Sequence, residues 1–382
     1  MTAETRTAPR FLVLWAEESS PNLGVAALAR GSRDLLRRVD PDAEFVFANY
    51  GARPTEITWG RPRSLVRERI QNRFGMQAYL RQFDLVWDTR SGDSFADIYG
   101  IDRHLTMSLV HEFAVQAGTP VAMAPQTIGP FGTRRGRLLG RRTLHRSTTV
   151  LARDPDSVRA ADQLGRPADL MTADLVFAID PPTPGPSHDV LFNVSGLLWQ
   201  ENSHVDAHAY RRVVRESIAG LRAAGRDVTL LAHVLDSPHS DNDVPVVREL
   251  SEESGGELDV VVPTSLDDVR STIAGASVLI GSRMHACLNA LSVGVPSVPL
   301  AYSRKFAPLL RSVGWDVGFD LRTDDPVSLP SRIIEAVEHV DPAGAREAAA
   351  KGRASLDAAV DLLRTVQTRG EPLVSPEGRR GR

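Results

Sequence analysis

Three side chains in the last third of the sequence combine positive charge with proton chemistry. Arg283 and His285 follow an apolar run that ends at Gly281, and Lys305 follows the next apolar run. An arginine offers a planar fork that fits carboxylate or phosphate, a histidine exchanges protons near neutral pH, and a lysine neutralises phosphate as a point charge. The pattern predicts a site for a small, strongly anionic ligand.

The residue types also allow purely structural roles. Ser282 is predicted to cap a helix that begins near Met284, whose free N–H groups and dipole would favour an anion. In the alternative interpretation Arg283 pairs with a nearby carboxylate and His285 only caps the helix. Lys305 is one of only two lysines among 45 basic residues, which favours a chemical role over that of a solvated surface lysine.

Polar residues of the first half also follow apolar runs. Asn22 lies in a turn after the first run, and Asp93 and Ser94 lie in a turn after the third. Asp93 is a candidate general base, whereas Asn22 and Ser94 are candidates for binding sugar hydroxyls. The alternative for Asp93 and Ser94 is that they cap the next segment.

Further candidates follow the next two runs. Gln126 and Thr127 are predicted to bind a polar ligand, and Arg153 is predicted to point towards an anion or to pair with a local carboxylate. Six arginines lie between residues 134 and 146, on a predicted helix. They indicate either a solvated helix face or contact with a diphosphate or an anionic membrane surface.

Composition excludes several classes of protein. The chain has 382 residues and a net charge of −3, which does not favour a nucleic-acid-binding surface. The only cysteine, Cys287, excludes an internal disulfide and a cysteine-rich metal site. No apolar run reaches the 18 residues typical of a membrane span. We expect a cytoplasmic protein with no metal site and no cofactor.

Short apolar strands alternate with amphipathic helices throughout, which predicts an α/β fold with mostly parallel sheets. The predicted strands are Arg10–Ala16, Glu44–Asn49, Leu85–Asp88, Val121–Ala124, Thr148–Ala152, Leu175–Ile179, Val190–Val194, Val228–Ala232, Asp259–Val262, Val278–Ile280 and Ser297–Pro299. The predicted helices are Asp102–Ala117, Asp206–Ala224, Asp243–Ser254, Leu266–Ala274, Met284–Ser292, Phe306–Ser312 and Ala343–Thr368. In the first of these helices the apolar stripe leaves out His104, Ser108 and His111.

A break in composition predicts two domains. Residues 181–187 hold four prolines and a glycine, which excludes helix or central strand there. We predict a Rossmann-like domain at 1–180, a linker at 181–187, a second Rossmann-like domain at 188–368 and a disordered tail at 369–382. Because ligands of open α/β sheets bind beyond the carboxyl ends of the strands, the site is expected in a cleft between two doubly wound halves.

Taken together, the motifs resemble the polysaccharide pyruvyl transferase family. The segments that carry the resemblance follow the family's order along the chain: Gly92–Asp97, Pro125–Pro130, Arg153–Asp154 with Ser157, Arg283–His285, Gly294–Pro296, and Tyr302 with Lys305. Many members carry an acidic residue after the glycine of the first turn, where this chain has Val25. That departure leaves open how the acceptor is held.

The resemblance implies a fold similar to the two-domain GT-B glycosyltransferases, with phosphoenolpyruvate as donor and a sugar as acceptor. The product it implies is a cyclic pyruvate ketal across two sugar hydroxyls. Phosphoenolpyruvate would be bound by Arg283, Lys305, Ser282 and Arg153. His285 would be the acid that protonates the donor's methylene carbon, and Asp93 the base.

Two other functions share this architecture. A GT-B glycosyltransferase would use a nucleotide sugar and usually needs a carboxylate in the second domain, but residues 283–306 contain no Asp or Glu. A non-catalytic binding protein would not require Arg283, His285 and Lys305 together.

Overall fold

The computed structural model describes residues 8–235 and 241–368, so the predicted tail at 369–382 lies outside the described residues. The chain divides into two compact units. The first contains residues 8–17, 31–172 and 355–368, and the second contains 18–30 and 173–354 apart from 236–240. By this division residues 181–187 lie inside the second unit, and the predicted domain limits remain a prediction.

The first unit is built on a parallel six-stranded sheet. Its strands are β1 (Arg10–Leu14), β2 (Glu44–Ala48), β3 (Leu85–Asp88), β4 (Val121–Gln126), β5 (Thr149–Ala152) and β6 (Leu170–Met171). They lie in the order β2-β1-β3-β4-β5-β6. The helices are α1 (Leu23–Val39), whose first part belongs to the second unit, α2 (Pro62–Gln71), α3 (Met76–Leu80), α4 (Ile101–Gln116), α5 (Arg134–Arg146) and α6 (Pro155–Gln163), with a 3₁₀ turn at Arg90–Gly92.

The second unit repeats the architecture. Its strands are β7 (His188–Asn193), β8 (Val228–Leu231), β9 (Asp259–Val261), β10 (Ala276–Gly281), β11 (Ser297–Ala301) and β12 (Phe319–Asp320). They pair in parallel in the order β12-β11-β10-β7-β8-β9. The helices are α7 (Gly196–Trp199), α8 (Ala207–Ala223), α9 (Val244–Glu253), α10 (Leu266–Ala274), α11 (Met284–Ser292), α12 (Phe306–Ser312), α13 (Leu329–Glu338) and α14 (Pro342–Thr368), whose end belongs to the first unit.

Apolar side chains of the central strands form the core of each unit. In the second unit Phe192, Leu230 and Ile280 are fully buried between the sheet and its helices. Burial of each such side chain contributes about 1.5–3 kcal/mol. These strands read as near-continuous apolar runs because helices cover both faces of a parallel sheet. The predicted α/β fold with two doubly wound units is confirmed.

One predicted strand is wrong. Residues 175–179 are apolar and were expected to pair, but Leu175–Ala178 forms a 3₁₀ turn. The Asp174 carboxylate accepts a hydrogen bond from the Val176 N–H at 3.0 Å, which closes the turn and prevents an extended conformation. The two-residue strands β6 and β12 were not predicted, because two residues carry no detectable periodicity.

Helix α4 is more buried than its apolar stripe predicts. His104, Ser108 and His111 are all buried. The His104 Nε2 atom lies 3.2 Å from the Gly136 carbonyl of α5, and His111 Nδ1 lies 3.0 Å from Asp88 Oδ2 at the end of β3. These polar partners on two sides of α4 keep the cost of the burial low, because a buried polar group costs little once it is hydrogen-bonded.

Candidate active site

The strand order of the second sheet reverses between β7 and β10, which is where doubly wound folds bind ligands. β7 ends at Asn193 and β10 ends at Gly281. The Asn193 carbonyl accepts the Ser282 N–H at 3.1 Å, and its side-chain oxygen accepts the Arg283 N–H at 3.0 Å. The turn that carries the predicted site residues is therefore fixed to the neighbouring strand.

Arg283 forms a buried ion pair. Its Nε and Nη2 atoms donate to Asp243 Oδ1 at 3.1 and 2.6 Å, and Nη2 also donates to the Asp241 carbonyl. Asp243 is fully buried and accepts further backbone N–H groups from Gly196, His233 and Val234. Burial alone would lower the pKa of the guanidinium, but the Asp243 charge raises it above its ordinary value.

This pairing is the alternative that the sequence left open for Arg283. The guanidinium stays charged and is held in one orientation by Asp243. Nη1 has no hydrogen-bond partner among residues 8–235 and 241–368, and the side chain is 9% exposed. The pair thus leaves one edge of the fork available for an anion.

Ser282 does not cap the helix as predicted. The residue at the cap of α11 is Arg283, which provides no side-chain hydrogen bond there. The buried Ser282 hydroxyl instead accepts a hydrogen bond from the Tyr210 hydroxyl at 2.8 Å. Tyr210 in turn accepts the Ser195 N–H at 2.9 Å, so Ser282 ties α11 to α8 and to the turn after β7. The first turn of α11 therefore keeps N–H groups that no side chain caps.

His285 lies in the first turn of α11 with 17% of its side chain exposed. Its Nε2 atom is 3.9 Å from an oxygen of the Asp174 carboxylate. On its other side the ring lies against Gly24 of α1: a Cβ at Gly24 would lie 2.6 Å from His285 Nδ1 and 3.1 Å from Asn22 Oδ1. The ring is thus confined between α1 and the turn at Asp174.

Asn22 belongs to the same unit as His285, although the sequence analysis assigned it to the first half. Its side-chain oxygen accepts the Gly24 N–H at 3.0 Å, and its backbone bridges to Val234. Asn22 therefore fixes the start of α1 beside the His285 ring. Its predicted contact with a sugar remains a prediction.

The absence of a side chain at Gly24 predicts a specific steric effect. In Gly24→Ala, the new methyl group would overlap the His285 ring and displace it, because a contact of 2.6 Å is too short for the ring to stay in place. A displacement of about 1 Å in a catalytic group costs up to roughly 100-fold in rate. We expect kcat for the reaction proposed below to fall by about this factor, with folding retained in circular dichroism.

Gly132→Ala is the matched control for this variant. A Cβ there would meet only Asp97 Oδ1, at an ordinary 3.8 Å. Equal kcat values for Gly24→Ala and Gly132→Ala would show that the position of the His285 ring does not matter.

A polar network behind His285 was missed by the sequence analysis. Asn289 lies one helical turn after His285, and its Nδ2 donates to the His285 carbonyl at 2.8 Å and lies 3.2 Å from His233 Nε2. Its Oδ1 accepts from Arg270 Nη1 at 2.8 Å. His233, Asn289 and Arg270 are all at most 1% exposed. The sequence indicates this network only through the position of Asn289, which stands four residues after His285 and therefore on the same face of the predicted helix.

Lys305 precedes α12 and lies near an aromatic cluster. His204 packs against Tyr302 with ring centroids 5.3 Å apart, and Tyr302 packs against Phe306 at 5.6 Å. Burial lowers the pKa of His204, and the charge of Lys305 lowers it further. His204 also lines a cavity of about 510 Å³.

The corresponding turns of the first unit hold the other candidates. Asp93 is half-buried and accepts a hydrogen bond from the Tyr99 hydroxyl at 2.7 Å. The buried Ser94 hydroxyl accepts from Arg103 Nε at 3.1 Å. Both follow the 3₁₀ turn in which Arg90 has φ of 47°. Asp93 thus remains partly accessible, whereas Ser94 contacts a local arginine.

Gln126, Thr127 and Arg153 are buried in local hydrogen bonds. Gln126 Nε2 donates to the carbonyls of Asp88 and Ala124. Arg153 Nε donates to Thr127 Oγ1 at 3.1 Å. The structure therefore gives these three residues a role in shaping the turns after β4 and β5, and their contact with a ligand remains a prediction.

Three residues of the first unit form a buried charge network that the sequence analysis did not identify. Asp88 Oδ2 accepts from Arg90 Nε at 2.9 Å and lies 3.0 Å from His111 Nδ1, with all three side chains at most 1% exposed. Burial would raise the pKa of Asp88, but the Arg90 charge and the His111 hydrogen bond lower it. The network fixes the turn that carries Asp93.

Within residues 8–235 and 241–368, no group of three His, Cys, Asp or Glu side chains is placed to hold a metal ion.

Comparisons with solved structures support the fold. The chain is similar to a UDP-N-acetylglucosamine 2-epimerase from Methanocaldococcus jannaschii, with a TM-score of 0.57 and 12% identity over 94% of this chain and 99% of the other. It is also similar to the UDP-GlcNAc 2-epimerase of Neisseria meningitidis bound to UDP-GlcNAc, with a TM-score of 0.57 and 12% identity over 94% of this chain and 100% of the other. At this identity the likeness shows the architecture alone.

Sequence comparison is more specific. No curated protein sequence matches the chain significantly. The family described as "Polysaccharide pyruvyl transferase" matches residues 22–304, a range that includes Asn22, Asp93, Arg283 and His285. Since this match covers most of the chain, the protein belongs to the polysaccharide pyruvyl transferase family.

Proposed function

We propose that this enzyme transfers the pyruvyl group of phosphoenolpyruvate to two hydroxyls of a sugar in a polysaccharide or glycolipid precursor. The product is a cyclic ketal, and phosphate is released. The observation that carries the proposal is the position of His285. It lies at the point where the strand order of the second sheet reverses, 3.9 Å from Asp174 and beside an arginine fixed by a buried carboxylate.

The donor carries a carboxylate and a phosphate, so its site needs cations and N–H groups. Arg283 presents Nη1, and the first turn of α11 presents backbone N–H groups at the positive end of the helix dipole. Lys305 supplies a further charge at the start of α12. We also assign Arg153 to the binding of phosphoenolpyruvate, as an additional cation.

The reaction begins with a proton transfer. His285 donates a proton to the methylene carbon of phosphoenolpyruvate, which becomes a methyl group and leaves an oxocarbenium-like centre at the adjacent carbon. One sugar hydroxyl attacks that carbon and passes its proton to a base. The second hydroxyl then displaces phosphate and closes the ketal ring. Its proton leaves with the phosphate, so the atoms and charges balance.

Asp93 is the base that we assign to the acceptor hydroxyl. Its carboxylate is half-buried and accepts a hydrogen bond from the Tyr99 hydroxyl at 2.7 Å. Ser94, Gln126, Thr127 and Asn22 are assigned to acceptor binding, through the turns that they shape.

The test is product analysis. The protein is incubated with phosphoenolpyruvate and a panel of glycosides, including lipid-linked and nucleotide-linked sugars. We expect phosphate release that depends on one glycoside, and a product whose mass exceeds that glycoside by pyruvic acid less one water. Phosphate release without a heavier glycoside, or sugar transfer from a nucleotide sugar, would contradict the proposal.

The rival function, glycosyl transfer from a nucleotide sugar, lacks a carboxylate in its expected place. Residues 283–306 contain no Asp or Glu. The charged groups in this segment that the structure assigns to the second unit are cations and His285. A site of this charge favours a small, multiply anionic donor.

A surface of the first unit supports a lipid-linked acceptor at the cytoplasmic face of a membrane. Asp97 accepts the N–H groups of Gly132 and Thr133, which joins the turn before α4 to the start of α5. These two segments expose large apolar side chains and arginines, which we call the basic-apolar patch: Ile98, Tyr99, Ile101, Leu138, Arg134, Arg135, Arg137 and Arg141. Arginines with exposed apolar groups fit an anionic lipid surface. The helices of the described residues include none with both the length and the apolar composition of a membrane span.

We therefore expect binding to vesicles that contain phosphatidylglycerol, but not to pure phosphatidylcholine vesicles. Each arginine near such a surface contributes about 1 kcal/mol, so the double variant Arg134→Ser, Arg135→Ser should bind roughly 30-fold more weakly in flotation assays. Val327→Ser removes an apolar group of the second unit that is 72% exposed, and should bind as the wild type does. Equal binding of all three proteins would exclude this surface.

A further inference from the structure

The buried polar network behind His285 determines the protonation state of a second histidine. Arg270 can only donate hydrogen bonds, so the atom of the Asn289 amide that it contacts at 2.8 Å must be the oxygen. The amide nitrogen then faces the His285 carbonyl, an obligatory acceptor, at 2.8 Å. Two independent neighbours thus fix the orientation of the Asn289 amide.

The same nitrogen lies 3.2 Å from His233 Nε2. Because Nδ2 donates one hydrogen to the His285 carbonyl and the other to His233, Nε2 of His233 must be an acceptor without a proton. A neutral imidazole carries one proton, which then resides on Nδ1. We propose that His233 is a positioning residue, locked by Arg270 and Asn289 as a neutral Nδ1–H imidazole, so that the proton used in the reaction resides on His285.

The electrostatics of the surrounding groups support this assignment. Burial, together with the charges of His285 and Arg283, lowers the pKa of His233 to about 3. Arg270 adds positive charge behind Asn289, while Asp243 accepts the backbone N–H of His233. A second imidazolium beside His285 would disfavour protonation of His285. A neutral His233 removes that competition throughout the physiological pH range.

Only one part of this inference rests on the proposed function, namely that the proton used in the reaction resides on His285. The tautomer of His233 can be measured without turnover. Long-range ¹H–¹⁵N spectra of the full chain with ¹⁵N-labelled histidine are recorded from pH 5 to 8, and the His233 signals are assigned by their loss in His233→Gln. We expect Nδ1 protonated, Nε2 unprotonated and no titration over this range. Protonated Nε2 in the wild type, or titration of His233 above pH 5, would overturn the proposal.

Asn289→Asp tests whether the Asn289 amide fixes the tautomer of His233. Its carboxylate keeps the contact with Arg270 but presents an acceptor to His233, so the proton should move to Nε2 and His233 should become easier to protonate. We expect kcat to fall at least tenfold, with KM for phosphoenolpyruvate within threefold of wild type. The matched control is Ser292→Ala, which removes the other side chain on Arg270 Nη1 and should leave the tautomer unchanged.

The outcomes separate the two proposals. A locked His233 in a protein that never forms a ketal would retain the tautomer assignment and reject the proposed reaction. Ketal formation with unchanged His233 signals in Asn289→Asp would retain the reaction and reject the lock.

Discussion

His285→Gln is expected to lose nearly all pyruvyl transfer, because glutamine keeps a polar side chain of similar reach but cannot deliver a proton. General acid catalysis by a placed side chain contributes roughly 10²- to 10⁴-fold, and we expect kcat to fall within this range. Phosphoenolpyruvate binding should change much less, since Arg283 and the N–H groups of α11 remain. Phosphate release in the presence of the glycoside acceptor measures the effect.

The control is His208→Gln. His208 is 82% exposed, and its ring lies 3.9 Å from Glu201 in an exposed ion pair. Its replacement should leave kcat and the thermal midpoint unchanged. If His285→Gln turned over phosphoenolpyruvate as fast as this control, another group would have to supply the proton.

Asp243→Asn is expected to have the largest effect on stability. It removes the charge of the carboxylate that pairs with the buried Arg283 guanidinium, while the amide still fills the space. Breaking a buried pair in this way costs about 3–5 kcal/mol. The free energy of unfolding, measured by urea denaturation, should fall by that amount.

An exposed pair in the same unit provides the comparison. Arg311 and Asp316 are 3.9 Å apart and mostly exposed, so Asp316→Asn should change the free energy of unfolding by less than about 1 kcal/mol. Equal losses for Asp243→Asn and Asp316→Asn would show that the Arg283 pair does not organise the site. Arg283 would then be a free donor ligand, as the first interpretation of the sequence held.

The sequence predicts the elements that have a strong period. The predicted helices at 266–274, 284–292 and 306–312 agree with α10, α11 and α12, because Ser265 caps the first and the apolar strands β10 and β11 precede the others. The prediction from apolar periodicity fails where a side chain outside the periodic segment decides the conformation. Asp174 turns residues 175–178 into a 3₁₀ helix, and no local property of those residues shows it.

The site was predicted only in part, because some of its residues are distant from one another in the sequence. Arg283 and His285 were identified from their position after a strand, but the partner of Arg283 lies forty residues earlier in the chain. Asp243 directly precedes α9 and was read as the start of that helix, yet its carboxylate makes no capping hydrogen bond and binds Arg283 instead. His233 and Gly24 become part of the site only through folding, so no spacing rule could connect them with His285.

The central claim is that the methylene carbon of phosphoenolpyruvate takes up a proton and that the adjacent carbon becomes the ketal carbon of the sugar product. The most direct measurement is turnover in D₂O, followed by mass spectrometry and NMR of the ketal. We predict one deuterium in the methyl group of each product molecule formed in a single turnover. A ketal whose methyl group contains no solvent deuterium, or a product that carries a transferred sugar and no ketal, would contradict the account.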